Sequence, residues 1–346
     1  MKPVGFAIVG TGMVAGIHAR AIARCAGAKL VCVVSRSPER GQAFAALHGA
    51  PTVTATVEEM ADRPDVDVVV ITTPSGAHLE PALTAARAGK HLIVEKPLEI
   101  TPERADHVIE AAAVAGVKLA TIFQNRFGKG AQRVKAAIDA GRLGRLVVCS
   151  ASVKWHRSAD YYLTPWKGTW DLDGGGALMN QAIHGVDLLQ WFAGMPTTVT
   201  AFISHLVHSG IEADDTAVAS LRFPGGALGT IEASTAVWPG WARRIELCGE
   251  KGSICLEDDR ITRWDFLDAH EEDARIRAAI EDQDLGSGAG DPAAISILGH
   301  QRQIEDFVAA IREDRPPVVD GPEGRRAVAL VHAIYESARR GLPVTL

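Results

Sequence analysis

Short apolar runs alternate with longer amphipathic stretches over the first 125 residues of the chain. The apolar runs are rich in β-branched residues and are bounded by glycine, proline or charged residues, which predicts buried strands at Val4–Val9, Lys29–Val34, Val66–Thr72, His91–Val94 and Val117–Ile122. Helical spacing predicts the intervening helices Val14–Cys25, Pro38–His48, Ala77–Ala88 and Pro102–Ala115. Alternating strands and helices indicate a doubly wound parallel α/β domain over residues 1–125.

The pattern changes near Gly144, where strand-like runs follow one another and are joined by turn sequences such as Pro224-Gly225-Gly226. These runs predict strands at Leu146–Trp155, Thr198–His205, Thr216–Phe223, Leu228–Ser234, Arg243–Gly249 and Ser253–Glu257. Closing helices are expected at Ile295–Glu313 and Glu323–Arg340, after a glycine-rich mobile loop at Asp282–Pro292. We therefore expect a second, α+β domain over residues 126–346, built on a large open antiparallel sheet.

Composition and charge narrow the class of partner. The 346 residues carry 36 Lys and Arg against 42 Asp and Glu, a net charge of −6, which gives no electrostatic reason to expect nucleic acid or an anionic membrane. No apolar run is long enough for a secretion signal or a membrane span, so a cytoplasmic protein is expected. The five scattered cysteines include no C-x-x-C pair, and we expect no metal.

A glycine-rich turn supplies the first chemical signal. The segment Gly10-Thr11-Gly12-Met13-Val14-Ala15 directly follows the first strand and begins the first helix. In this context the first glycine permits the turn, the second allows close approach of a pyrophosphate, and the helix N-terminus donates N–H groups to it. The motif predicts a Rossmann domain that binds a nicotinamide dinucleotide through Gly10, Gly12, Met13 and Val14.

The choice between NAD and NADP depends on the end of the second strand. An acidic residue for the ribose hydroxyl of NAD is expected there, but the sequence has Ser35 and Arg36, with Arg40 nearby. Guanidinium groups bind phosphate in a bidentate manner, so NADP is favoured over NAD. Surface arginines at the start of a helix are the alternative explanation.

Lys96 follows the strand His91–Val94, at the edge where open α/β sheets bind ligands. Together with the glycine turn, the triplet Glu95-Lys96-Pro97 resembles the signature of the glucose–fructose oxidoreductase / inositol dehydrogenase / MocA family of NAD(P)-dependent oxidoreductases. The resemblance covers essentially the whole chain. It implies that Glu95 lies at the cofactor and that Lys96 lies between nicotinamide and the substrate hydroxyl; the alternative is a surface lysine after a strand.

Two further loops are assigned to the cofactor. Thr72, Thr73, Pro74 and His78 follow the strand Val66–Thr72 and resemble the family's loop along the dinucleotide, although an ordinary turn before a helix has the same pattern. Gln124 and Arg126 follow the strand Val117–Ile122, where they are expected to meet the nicotinamide or the substrate.

A second motif begins at the triple glycine Gly174-Gly175-Gly176. If Ala177–Phe192 is a helix, Asn180, His184 and Asp187 recur at i, i+4 and i+7 and share one face. Such a polar stripe on an otherwise apolar helix is either a structural hydrogen-bond network or an active site. The resemblance favours the active site, because similar proteins carry Asp and His at the first two positions, beside the lysine.

Asn180 departs from the family pattern, which has Asp at this position. Asparagine cannot ionise, so Asn180 is expected to position the substrate, and Asp187 to orient the imidazole. His184 is expected to act as general acid/base because imidazole titrates near neutral pH, with Lys96 as the cation that hydrogen-bonds the reacting oxygen. Lys96 as the proton acceptor stays an alternative.

Aromatic and basic residues precede the triple glycine. Trp155, Arg157 and Trp166 combine rings that stack on sugar faces with donors for hydroxyl or carboxylate groups, although the same rings suit the packing of a loop or an oligomer interface. Gln181 and His300 are also assigned to the substrate.

These features predict a dehydrogenase or reductase that transfers hydride between nicotinamide and a secondary hydroxyl of a sugar, cyclitol or glycoside. The alternatives are a catalytically silent dinucleotide-binding regulator and a reductase of non-carbohydrate substrates such as dihydrodiols or bilins. A homo-dimer or homo-tetramer is expected from the open sheet.

Overall fold

The computed structural model describes residues 2–278, 289 and 296–346. They form two compact units, the first comprising Met1–Gln124 and Ile297–Arg325 and the second Asn125–Ser296 and Arg326–Leu346. The predicted boundary after residue 125 agrees closely with the first division, but the predicted second domain wrongly included residues 297–325. The predicted loop Asp282–Pro292 lies outside the described residues, apart from Ala289.

The elements up to residue 124 alternate as the apolar pattern predicts, and the predicted ones differ from the structure by at most two residues at their ends. The strands are β1 (Val4–Val9), β2 (Ala28–Val34), β3 (Val53–Thr54), β4 (Val68–Ile71), β5 (His91–Val94) and β6 (Leu119–Thr121). The helices are α1 (Met13–Arg24), α2 (Pro38–His48), α3 (Val57–Ala61), α4 (Leu79–Arg87) and α5 (Pro102–Val114). The short β3 and α3 were not predicted.

The remaining elements are mostly strands. The helices are α6 (Lys129–Asp139), α7 (Ile183–Ala193), α8 (Glu271–Ala278), α9 (Leu298–Arg312) and α10 (Gly321–Arg340). The strands are β7 (Leu146–Lys154), β8 (Thr198–Ser204), β9 (Thr216–Arg222), β10 (Leu228–Ser234), β11 (Arg244–Gly249), β12 (Gly252–Glu257), β13 (Arg260–Phe266) and β14 (Val344–Thr345). The elements α6, α8, β13 and β14 were not predicted.

The first unit is built on a six-stranded parallel sheet with the order β3-β2-β1-β4-β5-β6. Successive residues of each strand point to opposite faces, so Phe6 and Ile8 enter one apolar cluster while Ala7 and Val9 enter the other. The strand order reverses between β1 and β4. This topology confirms the doubly wound fold and places the loops after β1, β4 and β5 at the edge where such folds bind ligands.

Helix α9 explains why residues 297–325 belong to the first unit. Ile304, Phe307 and Val308 of α9 are buried in the same apolar cluster as Phe6 and Ile22. In addition, the side-chain amide of Gln303 donates to the backbone oxygen of Thr121 at 2.7 Å. Apolar periodicity predicts that α9 is a helix but not which sheet it covers, which is the reason for the error in the domain prediction.

The second unit is built on an eight-stranded sheet with the order β13-β12-β11-β7-β10-β9-β8-β14. Its pairs are antiparallel except β7 with β10, which run parallel, so the predicted antiparallel sheet is confirmed with one exception. Helix α7 packs on β7 and β11. Buried and exposed residues alternate along β9, which therefore has one covered and one open face.

No helix in the described part of the chain combines the length and the apolar character that crossing a membrane requires.

Candidate functional site

The turn after β1 depends on close approach to Thr72, the residue that follows β4. Gly10 has a φ of +106°, and a Cβ at this position would lie 2.9 Å from Oγ1 of Thr72. The Thr72 hydroxyl in turn donates to the backbone oxygen of Val9 at 2.8 Å. A side chain at residue 10 is therefore excluded both by the backbone conformation and by space.

The N-terminus of α1 fits an anionic group. Gly12 is its N-cap, no side chain caps it, and its first turn contains no acidic residue. A Cβ on Gly12 would meet no described atom within 4 Å, and Met13 is 59% exposed. Open space therefore adjoins backbone N–H groups that have no partner within the helix, which is the arrangement that binds a dinucleotide pyrophosphate.

The end of β2 presents the two predicted arginines to solvent. Ser35 donates its hydroxyl to the backbone oxygen of Ser37 at 2.9 Å, and the Ser37 hydroxyl accepts the Arg40 backbone N–H at 3.4 Å as the N-cap of α2. The side chains of Arg36 and Arg40 are exposed, and neither forms an ion pair with another residue that the structure describes. The helix is thus capped by serine, and both guanidinium groups face water.

His78 links the loops after β4 and β5. It is 1% exposed, its Nδ1 lies 3.0 Å from the backbone oxygen of Pro97, and its Nε2 lies 3.0 Å from that of Thr73. Burial lowers the pKa of this imidazole. Two loops at the ligand-binding edge therefore contact the same buried side chain, while Lys96 of the second loop is half-buried.

Glu95 lies between two buried histidines of the first unit. His18 of α1 places Nε2 2.8 Å from Oε1 of Glu95, and Nε2 of His300 lies 3.8 Å from the same oxygen. Burial alone would raise the pKa of Glu95, but the hydrogen bond from His18 and the nearby His300 side chain hold this pKa well below its ordinary value. His300, which was assigned to the substrate, is 2% exposed.

The three side chains also resemble a set of metal ligands. In the described part of the chain, His18, Glu95 and His300 each offer one possible ligand atom, and these three atoms lie within 4.8 Å of one another. The contact between His18 and Glu95 is a hydrogen bond, which an ion would have to replace. We therefore interpret these three residues as side chains that interact directly with one another, and we propose no metal.

In the second unit, the triple glycine is shaped by two buried side chains. A Cβ on Gly176 would lie 1.8 Å from the backbone oxygen of Asp214, and a Cβ on Gly175 would lie 2.2 Å from the Tyr335 hydroxyl. The Asp214 carboxylate accepts the N–H groups of Gly176 at 3.0 Å and Leu178 at 2.9 Å, and the Tyr335 hydroxyl at 2.7 Å. Burial raises the pKa of Asp214 despite these bonds.

The predicted continuous α-helix Ala177–Phe192 is wrong in its first part. Residues Ala177–Ala182 form a π-helical segment, and α7 begins only at Ile183. The wider turn of a π-helix changes the register between Asn180 and His184, so their spacing does not define an α-helical stripe. The Asn180 side chain donates to the Asp173 carboxylate, and His184 is 8% exposed in the first turn of α7.

Asp187 is engaged by Arg126. Nε and Nη2 of Arg126 donate to the two carboxylate oxygens at 2.9 and 2.6 Å, and Gln190 donates to one of them at 3.2 Å. Arg126 is 1% exposed, and its guanidinium carbon lies 5.2 Å from the centre of the Trp191 ring. The structure gives Arg126 and Asp187 a shared structural role; the predicted contacts with substrate and imidazole stay predictions.

The predicted aromatic and basic residues come together around Tyr161. Nζ of Lys167 lies 3.2 Å from the centre of the Tyr161 ring and 5.9 Å from that of Trp166. The guanidinium carbon of Arg157 lies 5.5 Å from the Tyr161 ring and 5.1 Å from the Trp155 ring. The side chain of Gln181 donates to the Tyr161 hydroxyl at 2.8 Å. We call Trp155, Arg157, Tyr161, Trp166 and Lys167 the aromatic–cation cluster.

Sequence reasoning missed three side chains that shape these sites. His18 is a buried polar residue within the mostly apolar stretch Ala15–Ile22, and this contrast is the signal that could have identified it. Asp173 directly precedes the triple glycine, and Asp214 lies two residues before the start of β9 at Thr216. Neither aspartate has a local pattern that identifies its partner, because its hydrogen bonds join distant segments.

The fold and the phosphate-binding turn define a dinucleotide-binding protein of the doubly wound class. Residues 4–123 match the family described as "Oxidoreductase family, NAD-binding Rossmann fold", and residues 131–255 match "GFO/IDH/MocA C-terminal domain". The chain therefore belongs to the GFO/IDH/MocA oxidoreductase family, as its sequence motifs predicted.

Relatives extend the likeness over the whole length. The chain is 28% identical over 338 residues to inositol 2-dehydrogenase of Rhizobium meliloti (strain 1021), covering 96% of each. It is 36% identical to the WlbA dehydrogenase from Bordetella pertussis, solved with NADH and UDP-GlcNAcA, with a TM-score of 0.90 and coverage of 100% and 98%. It is 25% identical to levoglucosan dehydrogenase, solved with NADH and levoglucosan, with a TM-score of 0.85 and coverage of 99% of each.

The close approach of Gly176 to the backbone of Asp214 yields a stability prediction. Replacing Gly176 with alanine forces the backbone away from Asp214, since no side-chain rotation relieves a clash with a backbone oxygen. We expect the Gly176→Ala variant to lose about 3 kcal/mol of unfolding free energy in urea. The matched control is Gly210→Ala, where an added Cβ meets no described atom within 4 Å. Equal urea midpoints for the two variants would contradict the assigned role of this approach.

Proposed function

We propose that the protein is an NAD(P)-dependent dehydrogenase or reductase acting on a secondary hydroxyl, or the corresponding ketone, of a sugar, cyclitol or glycoside. The observation that carries this proposal is the uncapped N-terminus of α1 behind Gly10 and Gly12, in the unit that also presents Lys96 after β5. An anion-binding turn and a cation at one sheet edge are what a nicotinamide-dependent alcohol dehydrogenase requires.

The substrate class is supported by the relatives and by the second unit. Relatives named for inositol and levoglucosan, and one solved with UDP-GlcNAcA, support a sugar or cyclitol. The aromatic–cation cluster adds rings that stack on apolar sugar faces and donors that hydrogen-bond hydroxyl or carboxylate groups. We therefore include a nucleotide-linked sugar acid among the substrates to be tested.

Oxidation of a secondary alcohol releases a proton and a hydride, and a bound nicotinamide supplies the acceptor for the hydride. The chain itself must handle the proton. We assign proton transfer to His184, because imidazole titrates near neutral pH, and we assign Lys96 to hydrogen-bonding and stabilising the alkoxide oxygen. Asn180, which cannot ionise, orients the substrate while its amide is held by Asp173. Lys96 as the proton acceptor is the alternative.

Binding of the dinucleotide is assigned to the first unit. Gly10, Gly12, Met13 and Val14 form the pyrophosphate turn, and Ser35, Arg36 and Arg40 lie at the end of β2, where the adenosine ribose is bound in this fold. The loops containing Thr72, Thr73, Pro74 and His78, Glu95 and Lys96, and Gln124 follow β4, β5 and β6. Two exposed guanidinium groups that form no ion pair within the described part of the chain favour NADP over NAD.

The proton-transfer role of His184 is testable by substitution. The wild-type protein is first assayed with myo-inositol, levoglucosan and UDP-GlcNAcA, each with NAD⁺ and NADP⁺, by the absorbance of reduced nicotinamide. His184→Ala should then lower kcat about 10²- to 10⁴-fold on the best substrate, with the Kd for reduced cofactor unchanged. Near-normal turnover would transfer the role to Lys96, and cofactor binding without any turnover would indicate a regulator.

Cofactor preference is tested at Arg36. Because its guanidinium would bind the 2′-phosphate, Arg36→Ala should weaken NADPH binding about tenfold or more and leave NADH binding nearly unchanged, as measured by the fluorescence of the reduced cofactor. Arg87→Ala, an exposed arginine on α4 of the same unit, is the control and should change neither Kd. An equal effect of Arg36→Ala on both cofactors would remove the argument for NADP.

The open face of the eight-stranded sheet supports a homo-dimer or homo-tetramer. Phe202 and Val218 are paired across strands and are 77% and 46% exposed, and Leu228 and Val148 are paired and are 54% and 49% exposed. Exposed apolar groups on one sheet face are typical of an interface. Sedimentation at micromolar concentration should therefore give a multiple of the 36.7 kDa chain mass, and the mass of a single chain would contradict this proposal.

A further inference from the structure

Three buried side chains of the first unit converge from segments that are distant in sequence. His18 lies on α1, Glu95 follows β5, and His300 lies on α9. They are 0%, 5% and 2% exposed, and the rings of the two histidines meet edge to face with their centres 5.2 Å apart. The proposed reaction assigns no step to either histidine, so their burial around a carboxylate requires another explanation.

The group contains a buried negative charge. His18 and His300 hold the pKa of Glu95 low, so the carboxylate is ionised near neutral pH, whereas burial lowers the pKa of His300 and favours its neutral form. A buried carboxylate is stable only where hydrogen-bond donors satisfy its oxygens. Oε1 accepts a hydrogen bond from Nε2 of His18 at 2.8 Å, and Oε2 accepts the backbone N–H of Lys96 at 3.0 Å.

This second bond connects the group to the proposed chemistry. One oxygen of Glu95 is bound by His18 of α1, and the other accepts the backbone N–H of Lys96. Lys96 is the residue that we propose hydrogen-bonds the reacting oxygen of the substrate. Any rotation of the carboxylate that follows loss of His18 must also displace or release the Lys96 N–H. The path therefore runs from His18 through Glu95 to the backbone of Lys96 by two hydrogen bonds.

We propose that His18 and His300 are positioning residues that orient the Lys96 side chain by fixing the Glu95 carboxylate. This inference rests on the proposed function for the role of Lys96. His18 also belongs to the helix whose N-terminus forms the phosphate turn. The effect of His300 is smaller than that of His18, since its Nε2 lies 3.8 Å rather than 2.8 Å from Glu95.

The first test separates positioning from folding by steady-state kinetics. His18→Leu removes the donor, whereas His18→Gln retains an N–H donor near the position of Nε2. We expect His18→Leu to lower kcat about 10- to 100-fold, with KM and the Kd for reduced cofactor within about threefold, and His18→Gln to recover most of the loss. His300→Leu should lower kcat less, and it provides the same test if His18→Leu does not fold.

The matched control is His91→Leu at the start of β5. Nδ1 of His91 accepts the Lys118 N–H at 3.0 Å, so this variant also loses a partly buried histidine hydrogen bond in the same unit. It should lower the melting temperature without lowering kcat per folded molecule. If His18→Leu and His91→Leu have the same kcat, or if His18→Gln is no better than His18→Leu, the positioning role is overturned.

A second readout does not depend on turnover. Lys96 and Lys90 are both half-buried, and Nζ of Lys90 is held by the backbone oxygens of Arg63 and Val66 at 2.8 and 3.0 Å. Acylation of the intact protein by a small amine reagent, followed by peptide mass spectrometry, should show faster labelling of Lys96 relative to Lys90 in His18→Leu but not in His18→Gln. An unchanged ratio overturns the proposal even if no substrate is found, which separates its failure from that of the proposed function.

Discussion

An ionised carboxylate buried in an apolar unit must have its oxygens satisfied, and in the first unit this constraint falls on Glu95. His18 binds one oxygen and the Lys96 backbone binds the other, while His300 approaches from α9. The helix of the phosphate turn, the loop after β5 and a helix from late in the chain are thereby joined at one point. The apolar contacts of Ile304 and Phe307 stabilise α9 on the sheet, but the carboxylate determines the geometry at the functional edge.

The second unit also contains buried carboxylates whose oxygens are satisfied by hydrogen-bond donors. Asp214 receives two backbone N–H groups and the Tyr335 hydroxyl at the turn that precedes the π-helical segment, and Asp187 receives Arg126 further along α7. Between these points the chain presents Asn180 and His184. Since each carboxylate would be costly to bury without its donors, the segment has few alternative conformations, and the glycines are required where backbone and side chains approach too closely for a Cβ.

Apolar patterns predicted most of both sheets because buried strands need continuous or alternating apolar residues. Three of the elements they missed have weak patterns: β3 has two residues, α3 has five, and α6 buries mainly small residues such as Gly130 and Ala131. Pattern alone also did not reveal the parallel pairing of β7 with β10, or that α9 covers the first sheet. Strand order and helix docking depend on contacts between distant segments, and the local spacing of apolar residues carries no information about those contacts.

The sequence by itself determined the two fold classes, the family and the glycine turn, because turn chemistry and short motifs are local properties. It also predicted Lys96, Asn180 and His184 as site residues. Only the tertiary structure decided that His18 is the partner of Glu95, 77 residues away, and that Asp187 is the partner of Arg126, 61 residues away. It also decided that the chain around Asn180 is π-helical. The physical reason for the two pairings is that a buried polar group takes the partner that folding brings within hydrogen-bond distance, whatever their separation along the chain.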